Sequence, residues 1–348
     1  MNFYLSIFYR VIPLIMALVC FCLGAVVYYD GTETGKYLAG PVIFSLGAIC
    51  MALFTTAATI IRQIINKYNK YYMFGLPIIA YLFSLITVAI GINTFMTTTN
   101  PIYYVAGHVI FGVGMIAICV STVATSSTKF YMIPKNSKTG NHETPEGAFE
   151  KGASKILLSI PIICAAILWI ECFYLLKDYK DSAHFIAGNV SGGLAAVCTS
   201  LIGLVASILR QIRNIYIQKD KWLWPGVVLS MGTLCILWGI LILVFNPSSY
   251  AVAPGFVLIG LGLVCFSISS KIILLAMVWK HDSPLAEKIT LIPIITALIC
   301  LFLSSFLIAA FGESPTTYIP ARILVGLGAI CFSLFSIVSI LESGTSQK

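Results

Sequence analysis

The chain has 348 residues, of which 59% are hydrophobic and only 10% are charged, and its formal net charge is +8. Several apolar runs reach about eighteen residues or more, the length at which a helix can cross a bilayer. This composition excludes a soluble globule and predicts an all-α membrane protein with several spans.

In chain order the sequence predicts ten spanning helices, joined in pairs as five hairpins. The expected spans are 11–29, 38–62, 74–96, 105–128, 155–177, 186–210, 223–245, 253–279, 289–311 and 319–341. An apolar residue followed by proline marks the first helix of each pair, and we expect this proline in the first turn, where its missing N–H would be unpaired anyway. These prolines are Pro13, Pro77, Pro161, Pro225 and Pro293.

The second helix of each pair opens with a recurring motif. It reads YLAGPVIFSLGAIC at 37–50, YVAGHVIFGVGMIA at 104–117, FIAGNVSGGLAAVC at 185–198, VAPGFVLIGLGLVC at 252–265 and YIPARILVGLGAIC at 318–331. A fixed period is typical of a repeated supersecondary unit. The motif predicts one integral membrane domain of five parallel repeats, at 1–70, 71–152, 153–221, 222–287 and 288–348. We expect a pseudo-fivefold bundle with the second helix of each repeat inside.

The spacing of the motifs is broken once, by a polar insertion. Their starts lie 67, 81, 67 and 66 residues apart, and the longer interval contains the Gly-, Pro- and charge-rich segment 134–153. Such a segment has too little apolar surface to order itself strongly. We therefore predict a polar cytoplasmic loop there.

Basic residues choose the orientation. The joints between hairpins hold most of them, whereas the loops within hairpins hold only Lys36, Lys177 and Lys180. Because Lys and Arg concentrate in cytoplasmic loops, both termini and the joints are predicted to be cytoplasmic, and the motifs to begin at the outer face. The net charge is then an orientation signal at the lipid headgroups, and no nucleic-acid partner is expected.

One face of the second helices is unusually small and polar. It follows the variable residue of each motif at intervals typical of one helical face. The residues of this small-residue face include Ser45, Gly112, Gly193, Gly260, Gly326, Thr55, Thr122, Ser200, Ser267, Ser270, Ser333 and Ser336. Two interpretations stay open: the face lets helices pack closely and bond across the contact, or it lines a hydrated cavity inside a ring. We favour the cavity because intramembrane ionisable groups, which usually face water or one another, lie near it.

The variable motif residue differs in every repeat. The five are Pro41, His108, Asn189, Phe256 and Arg322, and we expect them to form a gate at the outer mouth. His108 can change charge between about pH 5 and 8, which makes it the candidate acid sensor; the alternative is a neutral imidazole that bonds to a neighbouring helix. Arg322 would disfavour cations there, unless it reaches to the outer headgroups.

Two further ionisable residues lie within predicted spans. Lys271 would narrow the inner end of a pore or extend to the headgroups. Glu171 is a candidate partner for a basic group such as Arg322, or it is solvated with Lys177 near the outer interface.

No motif of a hydrolase, metalloprotease or nucleotide-binding enzyme is present, so we expect no enzyme, no catalytic residue and no cofactor. The eleven cysteines form no CxxC pair, and buried thiols are a better interpretation than a metal site.

Several segments resemble one known family. VAGHVIFGVGMIA at 105–117, MIPKN at 132–136 and LVGLGAICFSLFSIVSILE at 324–342 are similar to the YhiM family of bacterial inner-membrane proteins, and the similarity extends to IPLIM at 12–16 and WLW at 222–224. The resemblance implies a ten-span protein of the bacterial inner membrane, associated with survival in acid and with envelope stress. It implies no established substrate or reaction.

The functional hypothesis is a pH-responsive conduit for a small ion, a proton or a small solute, with the lipid bilayer and water as its other contacts. The alternative is a non-transporting protein that maintains the membrane or binds unknown protein partners, with a tightly packed core. A third possibility is a lipid or quinone binder that uses an apolar groove between first helices.

Overall fold

The computed structural model describes residues 3–30, 32–65, 67–128, 151–213, 215–246, 248–278, 286–312 and 314–345. Within these residues the fold is all-helical, and ten helices are long and apolar enough to cross a membrane, as predicted. They are α1 Phe3–Tyr29, α2 Gly40–Ile64, α3 Lys70–Thr97, α4 Pro101–Ser127, α5 Lys151–Leu176, α6 Ser182–Ile212, α7 Asp220–Phe245, α8 Val252–Val278, α9 Ile292–Phe311 and α10 Pro315–Thr345. A short helix, Ala286–Thr290, precedes α9.

The prediction that each proline lies in the first helical turn is right only for Pro293, near the start of α9. Pro13, Pro77, Pro161 and Pro225 lie inside α1, α3, α5 and α7, after at least one full turn. A proline inside a helix removes one backbone hydrogen bond, which spanning helices tolerate where neighbours or local adjustments satisfy the carbonyl. The first helices therefore begin earlier than the proline signal indicates.

Most of the predicted loop 134–153 lies outside the described residues, and α5 begins at Lys151.

The connections within hairpins are short, and polar side chains cap the N-termini of several helices. Asn100 Oδ1 accepts a 2.8 Å hydrogen bond from the Ile102 N–H at the start of α4, and Asp181 accepts from the His184 N–H at the start of α6. Such caps satisfy backbone donors that a helix start leaves unpaired.

The two helices of each hairpin differ sharply in burial. Between 78% and 89% of the best apolar window of each even-numbered helix is buried, against 22% to 33% for each odd-numbered helix. The odd-numbered helices therefore leave most of their apolar surface exposed, as is expected of a surface that faces lipid. The even-numbered helices hold the core.

The even-numbered helices contact one another in a closed order: α2 with α4, α4 with α6, α6 with α8, α8 with α10, and α10 with α2. We call these five contacts the seams, numbered first to fifth. Side-chain contacts place all hairpin loops at one end, the loop end, and the joints between hairpins at the other, the joint end. At the loop end these contacts are Tyr37–Tyr103, Tyr104–His184, Phe185–Tyr250 and Asp30–Tyr318; at the joint end they are Gln63–Ser127 and Gln211–Leu275.

Candidate functional site

The small-residue face lies in the seams. An added Cβ at each of its four glycines would come within 2.5 to 2.7 Å of a leucine on the next even-numbered helix. The pairs are Gly112–Leu194, Gly193–Leu261, Gly260–Leu327 and Gly326–Leu46. The leucine methyl groups thus lie directly against the glycine backbone, and a larger residue there would require the leucine side chain to shift. Of the two interpretations, the structure matches close helix packing.

The hydroxyls of the small-residue face are engaged within the protein. Most donate to a carbonyl one turn earlier in their own helix, which satisfies a buried hydroxyl without a ligand. These are Ser45, Thr55, Thr122, Ser200, Ser270 and Ser333. Ser267 lies 2.6 Å from the Thr296 hydroxyl of α9, and Ser336 donates to the Tyr9 carbonyl of α1. These hydroxyls therefore have partners within the protein, and a hydrated cavity along this face stays a prediction.

A different face of the same helices surrounds a small cavity that we call the five-helix cavity. Its lining comes from α2, α4, α6, α8 and α10, and its volume is about 20 Å³, room for about one water molecule. Two layers of aliphatic residues at equivalent motif positions close it. They are Ile49, Ile116, Val197, Val264 and Ile330, followed by Leu53, Val120, Leu201, Ile268 and Leu334.

The next layer of the five-helix cavity contains Lys271. Its neighbours there, Val123 and Leu204, are aliphatic. The side chain is only 2% exposed, and α8 continues for about two turns beyond it. An ionisable group at such a site is costly to bury, and in membrane proteins it usually marks a functional position. Of the residues that the sequence predicts for a site, Lys271 is the one that lines the five-helix cavity.

A second set of ionisable residues lies nearer the loop end, between α4 and α5. His108 Nδ1 is 2.5 Å from Glu171 Oε1, so the structure pairs Glu171 with His108 and not with Arg322. The imidazole stacks on the Phe95 ring of α3 at a centroid distance of 4.4 Å. With Nδ1 donating to the carboxylate, His108 Nε2 and Glu171 Oε2 are both buried without a hydrogen-bond partner among the described residues.

A chain of polar side chains connects this pair to the surface. The Tyr104 ring contacts the His108 ring edge-on at 4.5 Å, and its hydroxyl lies 3.4 Å from His184 Nε2. His184 Nδ1 in turn bonds to the exposed carboxylate of Asp181. This bond from His184 holds the pKa of Asp181 below its usual range. We call Asp181, His184, Tyr104, His108 and Glu171 the loop-end cluster.

The other variable motif residues do not gather with His108. Asn189 Nδ2 donates a 2.7 Å hydrogen bond to the Phe185 carbonyl of its own helix. Phe256 packs against Leu307, Ala321 and Leu324, and Arg322 lies 4.6 Å from the Tyr318 ring centroid. Pro41 lines a groove on the lipid-facing side. The five residues thus belong to separate local surroundings, and the five-helix cavity is lined by other residues.

Sequence reasoning missed Tyr104, His184 and Asp181 as members of a polar cluster. Tyr104 opens the second motif and precedes His108 by about one helical turn, and this spacing was the signal available for it. The capping pattern of Asp181 before α6 was a local signal for the position of His184. The aliphatic layers were visible as conserved spacing between the five motifs of this chain, eight and twelve residues after the variable residue.

Ten spans, most deeply buried in the even-numbered helices, with the ionisable side chains of His108, Glu171 and Lys271 in the interior, define a multi-span helical membrane protein. The chain matches, over residues 1–346, the family described as "Protein of unknown function (DUF2776)". It is also 45% identical over 352 residues to "Inner membrane protein YhiM" of Escherichia coli (strain K12), with 100% of both chains covered. The chain belongs to this family, which confirms the resemblance found in the motifs. No solved structure matches it significantly.

Proposed function

We propose that this protein is a pH-responsive conduit for a small ion in a bacterial inner membrane, built as five parallel repeats around an axis through the five-helix cavity. The observation that carries the proposal is Lys271, an ionisable side chain buried in a cavity to which all five buried helices contribute. A core that served packing alone would be better filled by a further aliphatic residue at this position, because burying a lysine that forms no ion pair with any described residue costs free energy.

The aliphatic layers act as the gate in this proposal. Hydrophobic constrictions close a passage to ions by excluding water, and a cavity of about 20 Å³ is closed in that sense. A charged lysine just beyond the layers would repel cations and attract anions. We therefore favour a small inorganic anion as the conducted species, with the proton and other small solutes as the wider class.

The loop-end cluster supplies the response to acid. His108 Nε2 and Glu171 Oε2 can each accept a proton without breaking a hydrogen bond. Asp181, His184 and Tyr104 lie between them and the surface, and Tyr174 is a further titratable neighbour of Tyr104. With the loop end facing outward, as the basic joints predict, this cluster meets the external medium.

One helix links the cluster to the gate. α4 carries His108 near the loop end and, two to four turns further along, Ile116, Val120 and Val123 in the five-helix cavity. Protonation changes the charge of the buried pair, and a shift of α4 would then move three residues of the aliphatic layers. Coupling of this kind needs two arrangements of one rigid element, which both sites bias.

Anion flux into liposomes reconstituted with the purified protein tests the proposal. We expect flux to rise when the external pH falls from about 7 to about 5, the range in which histidine titrates. His108→Ala should remove the pH response, whereas Asn189→Ala, at the equivalent motif position, should keep it. Lys271→Met should reduce the preference for anions over cations, and Lys288→Met, an exposed lysine at the joint end, should not.

The small volume of the five-helix cavity favours a second candidate, a non-transporting membrane protein with a packed core. It predicts no flux at any pH and no effect of Lys271→Met on selectivity. Absence of flux in wild-type protein that is folded in the liposomes would therefore overturn the conduit and leave this second candidate.

A further inference from the structure

An apolar groove of about 630 Å³ opens on the lipid-facing side of the first seam, towards the loop end. Its walls come from α1, α2, α3 and α4 and include Phe21, Tyr28, Phe44, Ile86 and Ile90. Phe44, Ile86 and Ile90 are about half exposed. The groove therefore opens sideways, at the depth where the protein is surrounded by hydrocarbon.

The sequence explains why the first seam differs from the others. In the other four seams a leucine packs onto a glycine of the preceding even-numbered helix. At the first seam the equivalent positions hold Ser45 and Val113, and valine is one carbon shorter than leucine. The first seam thus lacks the side-chain pair that closes the other four.

The groove has an apolar interior. Its two buried hydroxyls both donate to carbonyls of their own helices, Ser45 to Val42 at 2.6 Å and Thr87 to Phe83 at 2.8 Å. A ligand with polar groups along its length would lose hydrogen bonds to water and find no replacement there. The chemistry of the walls selects a hydrocarbon chain.

A cation lies beyond the loop end of the groove. Lys36 Nζ is 6.0 Å from the centroid of the Tyr28 ring, which is itself part of the wall, and 5.3 Å from that of Tyr37. Lysine near a helix end reaches to the interface, where lipid phosphates lie. Lys36 and the groove are therefore arranged to match a phospholipid, whose phosphate lies at the interface and whose acyl chain extends towards the membrane interior.

We propose that the first seam is a phospholipid site, in which one acyl chain lies in the groove and the phosphate contacts Lys36. The site is separate from the five-helix cavity and does not depend on the proposed conduit. Lys36 recognises the phosphodiester that phospholipids share, so the site selects phospholipids over lipids without phosphate. Two other occupants fit less well. An isoprenoid quinone has no phosphate for Lys36 to contact, and a second copy of the protein would have to insert one of its own side chains into the groove.

Native mass spectrometry of the full chain tests the proposal, after reconstitution with equal parts of phosphatidylethanolamine and phosphatidylglycerol and gentle extraction into detergent. We expect one retained phospholipid per chain. Ala25→Phe places a ring in the groove, and its occupancy should fall about tenfold, equivalent to a loss of about 1.4 kcal/mol. Lys36→Gln should lower phospholipid retention to a smaller degree.

Ala89→Phe is the matched control. Ala89 lies at the same distance after Pro77 as Ala25 after Pro13, but it is exposed and outside the groove. Equal retention in the two phenylalanine variants, or a bound mass that fits a quinone or a second chain, would overturn the proposal. If Ala25→Phe does not fold, wild-type protein is crosslinked instead with a phospholipid that carries a photoreactive acyl chain. Crosslinks to residues 83–90 would support the site. If all crosslinks lie outside these residues, the proposed site is rejected.

Discussion

The loop-end cluster and the surroundings of Lys271 both bury ionisable side chains inside spanning helices, but they do so in opposite ways. His108 Nδ1 and Glu171 Oε1 bond to each other at 2.5 Å, and the pair is flanked by Phe95 and Tyr104. Lys271 lies among aliphatic side chains in the five-helix cavity. The buried pair joins α4 to α5, whereas Lys271 forms no ion pair with any described residue, and burying an ionisable group in that way costs stability. Among the described residues, contacts explain why His108 and Glu171 are buried together, but none explains why position 271 holds a lysine.

The largest effect is expected when the pair is broken. Glu171→Ala leaves His108 buried with neither of its ring nitrogens bonded, and such a loss costs about 3 to 5 kcal/mol. The free energy of unfolding in detergent measures it. Glu33→Ala, an exposed acid at the loop end, should change it little. In a double-mutant cycle, adding His108→Ala to Glu171→Ala should cost much less than either single change; simple additivity would show that the two residues do not interact.

The opposite sign is expected at the solitary lysine. Lys271→Met keeps an unbranched side chain in the cavity and removes the cost of burying an amine, so the free energy of unfolding should rise by about 2 kcal/mol. Lys288→Met, at an exposed position, should leave it unchanged. A loss of stability as large as that of Glu171→Ala would mean that Lys271 is a structural residue. The two regions would then not differ in the role of their buried ionisable groups.

A smaller effect is expected where the cluster reaches the surface. Asp181→Ala removes the cap of α6 and the partner of His184, at a cost of about 1 kcal/mol. Because the bond from His184 lowers the pKa of Asp181, its stabilisation is fully present above the ordinary carboxyl pKa. It is lost as the pH falls through the lowered value, so the difference from wild type should shrink below about pH 4.

Asp178→Ala, a nearby exposed acid, is the control for this change and should follow wild type at every pH. A constant difference across the titration would show that the charge of Asp181 has no part in its effect. Unfolding curves recorded over a pH series give both results.

The ten spans could be predicted because length and apolarity decide whether a segment crosses a bilayer. The helix starts could not be predicted from proline. A membrane helix tolerates an interior proline, and its start depends on the chain that precedes it, as Pro77, about two turns after the start of α3, illustrates. The five-repeat arrangement and the orientation stay predictions from the motifs and the basic joints.

The site was only partly predictable because periodicity identifies a helical face without saying what that face contacts. Gly193 and Val197 lie on neighbouring faces of α6; the first meets Leu261 in a seam, and the second lines the five-helix cavity. Small residues are needed where two helices touch, and large ones where five helices surround a common space. The sequence also held no sign that Glu171 would meet His108, since that contact depends on which first helix lies beside α4.

The fifth seam has a consequence for biosynthesis. Tyr318 of α10 bonds to Asp30, Ser336 bonds to Tyr9, and Leu46 of α2 packs against Gly326. These contacts join the first hairpin to residues that the ribosome makes nearly three hundred positions later. Until the fifth hairpin is inserted, Leu46 and Asp30 lack the α10 partners that they contact in the complete fold. Hairpins one to four can assemble during translation, and the last one determines when the molecule is complete.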